Sequence, residues 1–92
     1  MRVIWTQEAA NDLESIVNHI RKDSVDAAQR VAKEIFDTVM TLPSFPYRGR
    51  KREEDAGREI VFAPWPYIAA YEVIGNELYV KAIRHTSRDW PR

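Results

Sequence analysis

The apolar residues of this chain change period once, and that change limits the class of fold open to it. Between Ala9 and Leu42 they recur three and four residues apart, whereas beyond Arg58 they come in short, nearly unbroken runs. The first spacing lines one side of a helix, and the second fills strands buried on both faces. Ala9, Leu13, Ile16, Val17 and Ile20 predict a helix over about 7–22, opened by Thr6 as cap with Glu8 in the first turn. Arg21-Lys22-Asp23-Ser24 interrupts it: the basic pair suits a helix end, and Asp23 or Ser24 can cap a second helix. Ala28, Val31, Ala32, Ile35, Val39 and Leu42 form the second stripe, and Pro43 stops it. Val25, Phe36 and Met40 widen that stripe to roughly half the helix circumference. We expect Phe36 to be buried between the first helix and a sheet; Val25 and Met40 could be buried with it or accept a partner segment.

Val3-Ile4-Trp5 predicts a strand over about 2–5. Residues 43–57 read as a loop, punctuated by Pro43, Pro46, Gly49 and Gly57. Within it, Arg48-Gly49-Arg50-Lys51-Arg52 adjoins Glu53-Glu54-Asp55, a pattern more often of a solvated, self-neutralising loop than of a binding site. Arg58 to Phe62 is a strand, and Ala63-Pro64-Trp65-Pro66 a turn. Tyr67 to Val73 is a strand apolar on both faces, hence central. Gly75-Asn76 closes a tight hairpin onto a last strand, Leu78 to Arg84. The order is β-α-α-β-β-β. We therefore expect one α+β domain over 1–92, with a helical hairpin packed on one face of a small, mainly antiparallel sheet.

Charge narrows the function. The 92 residues hold 14 basic and 14 acidic side chains. A protein that grips a nucleic-acid backbone by itself usually carries a clear basic excess. The balance is uneven: residues 1–46 carry five basic against seven acidic groups, and 47–92 nine against seven. An anionic partner is therefore expected on the second half. With no cysteine there is no disulfide, thiol nucleophile or thiolate metal ligand. No apolar run is long enough to span a membrane and the first residues do not read as a signal peptide, so a soluble, cytoplasmic protein is expected.

His85 ends the last strand beside Arg84 and Arg88, with Arg58 within conceivable reach across the sheet. An imidazole held neutral by guanidiniums can act as general base while arginine steadies a phosphate. The plainer alternative is a strand-end histidine that only packs and hydrogen-bonds. Arg58, Arg84 and Arg88 together read as an anion-contacting or carboxylate-clamping cluster. Tyr67, Tyr71 and Tyr79 could offer rings to bases, or simply pack. His85 and Asp89 alone do not make a metal site, and no phosphate loop or hydrolase elbow is present, so neither metal nor cofactor is expected.

Several segments, taken in order, resemble one family. They are Val3-Ile4-Trp5-Thr6 with Ala9 and Asp12-Leu13; then Asp26-Ala27-Ala28, Ile35, Leu42, Phe45-Pro46 and Gly49-Arg50. Arg58-Glu59, Pro66-Tyr67-Ile68, Tyr71 and the tail from His85 to Pro91 complete the set. Together they resemble the RelE/ParE toxins of bacterial toxin–antitoxin pairs, whose element order is the one reached above. The resemblance implies a cognate antitoxin as partner, and one of two targets. RelE-like members cut messenger RNA on the ribosome; ParE-like members poison DNA gyrase. The nuclease branch carries two lysines on the first meander strand and an arginine on the second, where this chain has Glu59, Val61 and Ile68. Some nucleases end in tyrosine; here the sequence reads Trp90-Pro91-Arg92.

Three readings follow. The first is a ParE-like toxin that binds gyrase, with Arg58, Tyr67, Tyr71, Arg84, His85, Arg88 and Trp90 as its binding surface. Its antitoxin would rest on Val25, Met40, Arg58, Arg84 and Arg88. The second is a ribosome-dependent nuclease using His85, Arg88 and Arg58. The third is a degenerate member that retains antitoxin binding alone.

Overall fold

The computed structural model describes residues 1–87. Strand β1 (Arg2–Trp5) leads into helices α1 (Gln7–Arg21) and α2 (Val25–Thr41), and a 3-10 turn follows at Leu42–Ser44. Strands β2 (Arg50–Lys51), β3 (Arg58–Val61), β4 (Tyr67–Ile74) and β5 (Glu77–His85) complete the fold. The sheet runs β1-β5-β4-β3-β2, with β1 parallel to β5 and the other pairs antiparallel. This is the expected α+β layout, with β4 central. The short strand β2, Arg50 opposite Glu59, lies inside the segment expected to be an irregular loop. Two residues of charged side chains carry no periodicity that could have announced it.

Both helix caps follow from the chain. The Thr6 hydroxyl accepts from Ala9 N–H at 3.1 Å, and the Ser24 hydroxyl from Ala27 N–H at 3.0 Å. Each ties down an amide that the first helical turn leaves without a partner. Ala28, Val31, Ile35, Val39 and Leu42 are buried with Ile60, Tyr71, Leu78, Val80 and Ile83 of the sheet. Phe36 departs from expectation: it is 50% exposed, with Val25 and Met40 similarly open. Val31, Ile35, Val39 and Leu42 set the line that faces the core. Phe36 and Met40 each stand one residue past it, about 100° around the helix, outside the packed arc.

Between β4 and β5 the Gly75-Asn76 turn has positive φ only at Gly75, +61°. That is the pattern of a II′ hairpin turn, which needs glycine at its first central position.

Tyr71 fastens the segment between α2 and β2. Its ring is fully buried. Its hydroxyl accepts from Gly49 N–H at 2.8 Å and donates to the Pro46 carbonyl at 2.9 Å. Gly49 lies so close that a Cβ there would stand 2.6 Å from that hydroxyl. Tyr71→Phe removes the shared partner of two backbone groups, at a cost of about 1–3 kcal/mol. Gly49→Ala should destabilise at least as much, because ring and backbone must move apart. Urea unfolding of both variants checks this; midpoints equal to the parent's would refute the fastening role.

Candidate functional site

The start of α1 lies against a stretch of β5 that has β4 on one side and no strand on the other. Pairing of β1 with β5 stops at Trp5 opposite Val80. Past that point the Lys81 carbonyl accepts from the Thr6 hydroxyl at 3.1 Å, and Ile83 N–H donates to Asp12 Oδ2 at 3.0 Å. The edge groups that a further strand residue would have satisfied are thus met by two side chains near the start of the helix. Arg84 joins the same carboxylate and reaches Glu8 Oε2 at 2.6 Å. Burial works against its charge. Hydrogen bonding to Glu8 and the charge of Asp12 outweigh that, and hold the guanidinium pKa above its usual value.

Arg58 is committed elsewhere. Its guanidinium donates to the carbonyls of Tyr47 (3.1 Å) and Gly49 (2.9 Å) and stacks over the Tyr47 ring at 5.0 Å. Arg58 stands opposite Tyr71, and Arg84 opposite Ile68. Alternation along β4 therefore puts the two arginines on opposite faces, three residues or roughly 10 Å apart along the strand. The expected arginine cluster does not assemble from these two; Arg88 and Trp90 lie outside the described residues.

His85 stands opposite Tyr67 and meets its ring edge-on, centroids 5.3 Å apart. Ser87 N–H donates to His85 Nδ1 at 3.1 Å, with the Ser87 hydroxyl at 2.7 Å. An N–H can only donate, so in the neutral ring Nδ1 is the acceptor and Nε2 carries the proton. The lone pair that a general base would use is turned into a local turn. The guanidiniums of Arg58 and Arg84 are each engaged with other groups. Tyr67 and Tyr71 are buried, so neither ring is open for a base to stack on. Tyr79 donates to Glu77 at 2.7 Å.

The sheet face away from the helices carries a chain of paired charges. Arg50 and Arg52 both bind Glu59, at 2.7 and 2.9 Å. Arg52 also meets Asp55 at 3.2 Å, and Lys81 meets Glu72 at 3.0 Å. Gly57 N–H, against some burial and aided by Arg52 and Lys81, holds the Asp55 carboxyl below its ordinary pKa. Its contribution is present at neutral pH and is lost as pH falls through that lowered value. Part of the basic run is thus neutralised within the fold, as its composition suggested, though Glu59 does more of it than the adjacent acids. Among the described residues no cluster of three or more His, Asp or Glu could hold a metal ion.

On the hairpin side an open groove of about 540 Å³ is lined by apolar side chains, Leu13, Val17 and Phe36 among them, and by Glu14, Asn18 and Arg21. Val25 and Met40 of α2 are also exposed. No helix among the described residues is long and apolar enough to cross a membrane.

Exposed apolar side chains on the helical hairpin of a small α+β domain mark a surface able to take a partner. The family described as the ParE toxin of the type II toxin–antitoxin system parDE matches residues 3–90. A Sinorhizobium fredii relative carrying the toxin designation Y4kP is 35% identical over 91 residues, covering 99% of this chain and 94% of its own length. Toxin RelE2 of Caulobacter vibrioides is 36% identical over 87 residues, 95% of this chain and 97% of the relative. The solved chromosomal ParDE system from P. aeruginosa superposes with a TM-score of 0.83 at 27% identity, covering 95% of this chain and 97% of that one. The chain belongs to the ParE toxin family of the RelE/ParE type II toxin–antitoxin superfamily.

Sequence reasoning missed Glu8 and Asp12 as the partners of Arg84. Their four-residue spacing on α1 was the available signal, because it sets both carboxylates on one side of the helix. For His85, the geometry predicts that His85→Ala retains full growth arrest when expressed in cells. Loss of arrest in a variant that still folds would return His85 to the site, as a base or as part of the binding surface.

Proposed function

We propose that this toxin acts in the cytoplasm by binding DNA gyrase and is held inactive by a cognate antitoxin. The observation that supports binding over cleavage is the engagement of Arg58, Arg84 and His85 within the fold. Phosphodiester cleavage needs a base with an available lone pair and cations facing the reacting phosphate. Here the His85 lone pair accepts from Ser87, Arg84 is bound to Asp12 and Glu8, and Arg58 is bound to two carbonyls. Glu59, where the nuclease branch carries a lysine, holds Arg50 and Arg52.

For the antitoxin we infer a segment that is disordered alone and folds onto the helical hairpin. Its apolar residues would cover Val25, Phe36, Met40 and the groove beside Leu13 and Val17. The name of the P. aeruginosa system, a ParDE toxin–antitoxin pair, supports such a complex. Acidic antitoxin groups at Arg58, Arg84 and Arg88 would compete with Asp12 and Glu8, which already neutralise Arg84.

Purified toxin should block supercoiling of relaxed plasmid by gyrase, and addition of antitoxin should reverse the block. Messenger RNA cleavage on added ribosomes, with supercoiling untouched, would overturn the gyrase reading in favour of the nuclease.

A further inference from the structure

With Arg58 and Arg84 engaged internally, exposed aromatic surface and available positive charge meet on the loop from Phe45 to Lys51. Phe45 and Tyr47 are the most exposed large apolar side chains among the described residues, at 66% and 65%. Mobile loops bind weakly because ordering them opposes association. This loop is already held. Tyr71 grips Gly49 and Pro46, Arg58 grips the carbonyls of Tyr47 and Gly49, and Arg48 donates to the Thr41 hydroxyl at 3.0 Å. Arg58 also backs the Tyr47 ring. The two aromatics are therefore presented on a fixed frame, without the core contacts that would explain them as packing.

The charge around them is positive and accessible. Arg48 meets a hydroxyl rather than a carboxylate, Lys51 is exposed, and the Arg50 side chain is 78% exposed although paired with Glu59. Aromatic and arginine side chains are enriched at the residues that dominate protein interfaces. A nucleic-acid backbone fits less well. A continuous phosphate backbone calls for a basic excess that the chain as a whole lacks, whereas Arg48 and Lys51 can each take a single carboxylate.

We propose that the Phe45–Lys51 loop is the surface through which this toxin grips its target protein. The occupant is an acidic segment of that target, with apolar seats for Phe45 and Tyr47 flanked by carboxylates for Arg48 and Lys51. The proposal rests on action by binding, and is separate from the antitoxin surface on the hairpin.

The test uses the full chain. Phe45→Ala with Tyr47→Ala, and separately Lys51→Glu, are induced in cells and scored for growth arrest. The purified proteins are titrated onto immobilised gyrase and compared in thermal unfolding. Arrest should be largely lost in both variants, and gyrase affinity should fall by about tenfold or more. Lys51→Glu, at an exposed position, should unfold at the parent's temperature, which keeps the test informative if the double variant is unstable. Full arrest by Lys51→Glu and by a folded double variant would overturn the proposal whatever the target. If arrest is lost while the parent itself fails to bind gyrase, the loop stands and the gyrase reading falls. Tight binding of a single-stranded oligonucleotide by the parent, abolished by the same substitutions, would overturn the protein occupant.

Discussion

The join between α1 and the open edge of β5 is the constraint from which the rest of the structure follows. A strand edge leaves amides and carbonyls without partners, and a buried one must find them. Here β1 satisfies only the first part of β5, and Thr6 and Asp12 satisfy groups beyond it. Thr6 also caps α1, so one hydroxyl fixes where the helix begins and where it meets the sheet. Asp12 sits in the first half of α1 and fixes the direction in which the helix leaves. Once α1 is placed, α2 returns along it and closes the core over β4 and β5. Its remaining apolar residues, Val25, Phe36 and Met40, face away from that core.

The same join changes the meaning of the arginines. Asp12 carries a negative charge into a partly covered position, and Arg84 answers it together with Glu8. Arg58 likewise serves the loop it holds rather than an outside anion. Arg58 and Arg84 look like a site in the sequence because Arg84 adjoins His85 and a short meander could fold Arg58 back toward it. In the structure they lie on opposite sheet faces, each with its own partners. What stays outward is apolar on the hairpin and aromatic and basic on the Phe45–Lys51 loop. The proposed action by binding would use the two separately, one surface for an antitoxin and the other for a target.

Much of the fold was legible because it rests on periodicity. The stripe from Ala28 to Leu42, the caps Thr6 and Ser24, and the Gly75 turn each reflect a local rule. The parallel placement of β1 at the sheet edge was not, since Val3-Ile4-Trp5 carries no sign of its neighbour. Phe36 misled because a helical stripe states which residues are apolar, not how wide an arc the core accepts. Gly49 was visible as a loop glycine and Tyr71 as a sheet tyrosine, but not the two as a pair. Their close approach across 22 positions depends on tertiary structure alone. The candidate site was the least legible part, because whether an arginine faces a partner or a neighbour depends on carboxylates as distant in sequence as Asp12 and Glu8 are from Arg84.

The central claim, that Arg84 holds the hairpin to the sheet rather than serving an external anion, is tested most directly by a double-mutant cycle. Asp12→Ala, Arg84→Ala and the double variant would be compared in urea unfolding and in growth arrest. The account predicts a coupling of about 1–2 kcal/mol between the two positions, with toxicity falling only as far as stability falls. Independent, additive effects on stability, with arrest abolished by Arg84→Ala alone in a well-folded protein, would contradict it.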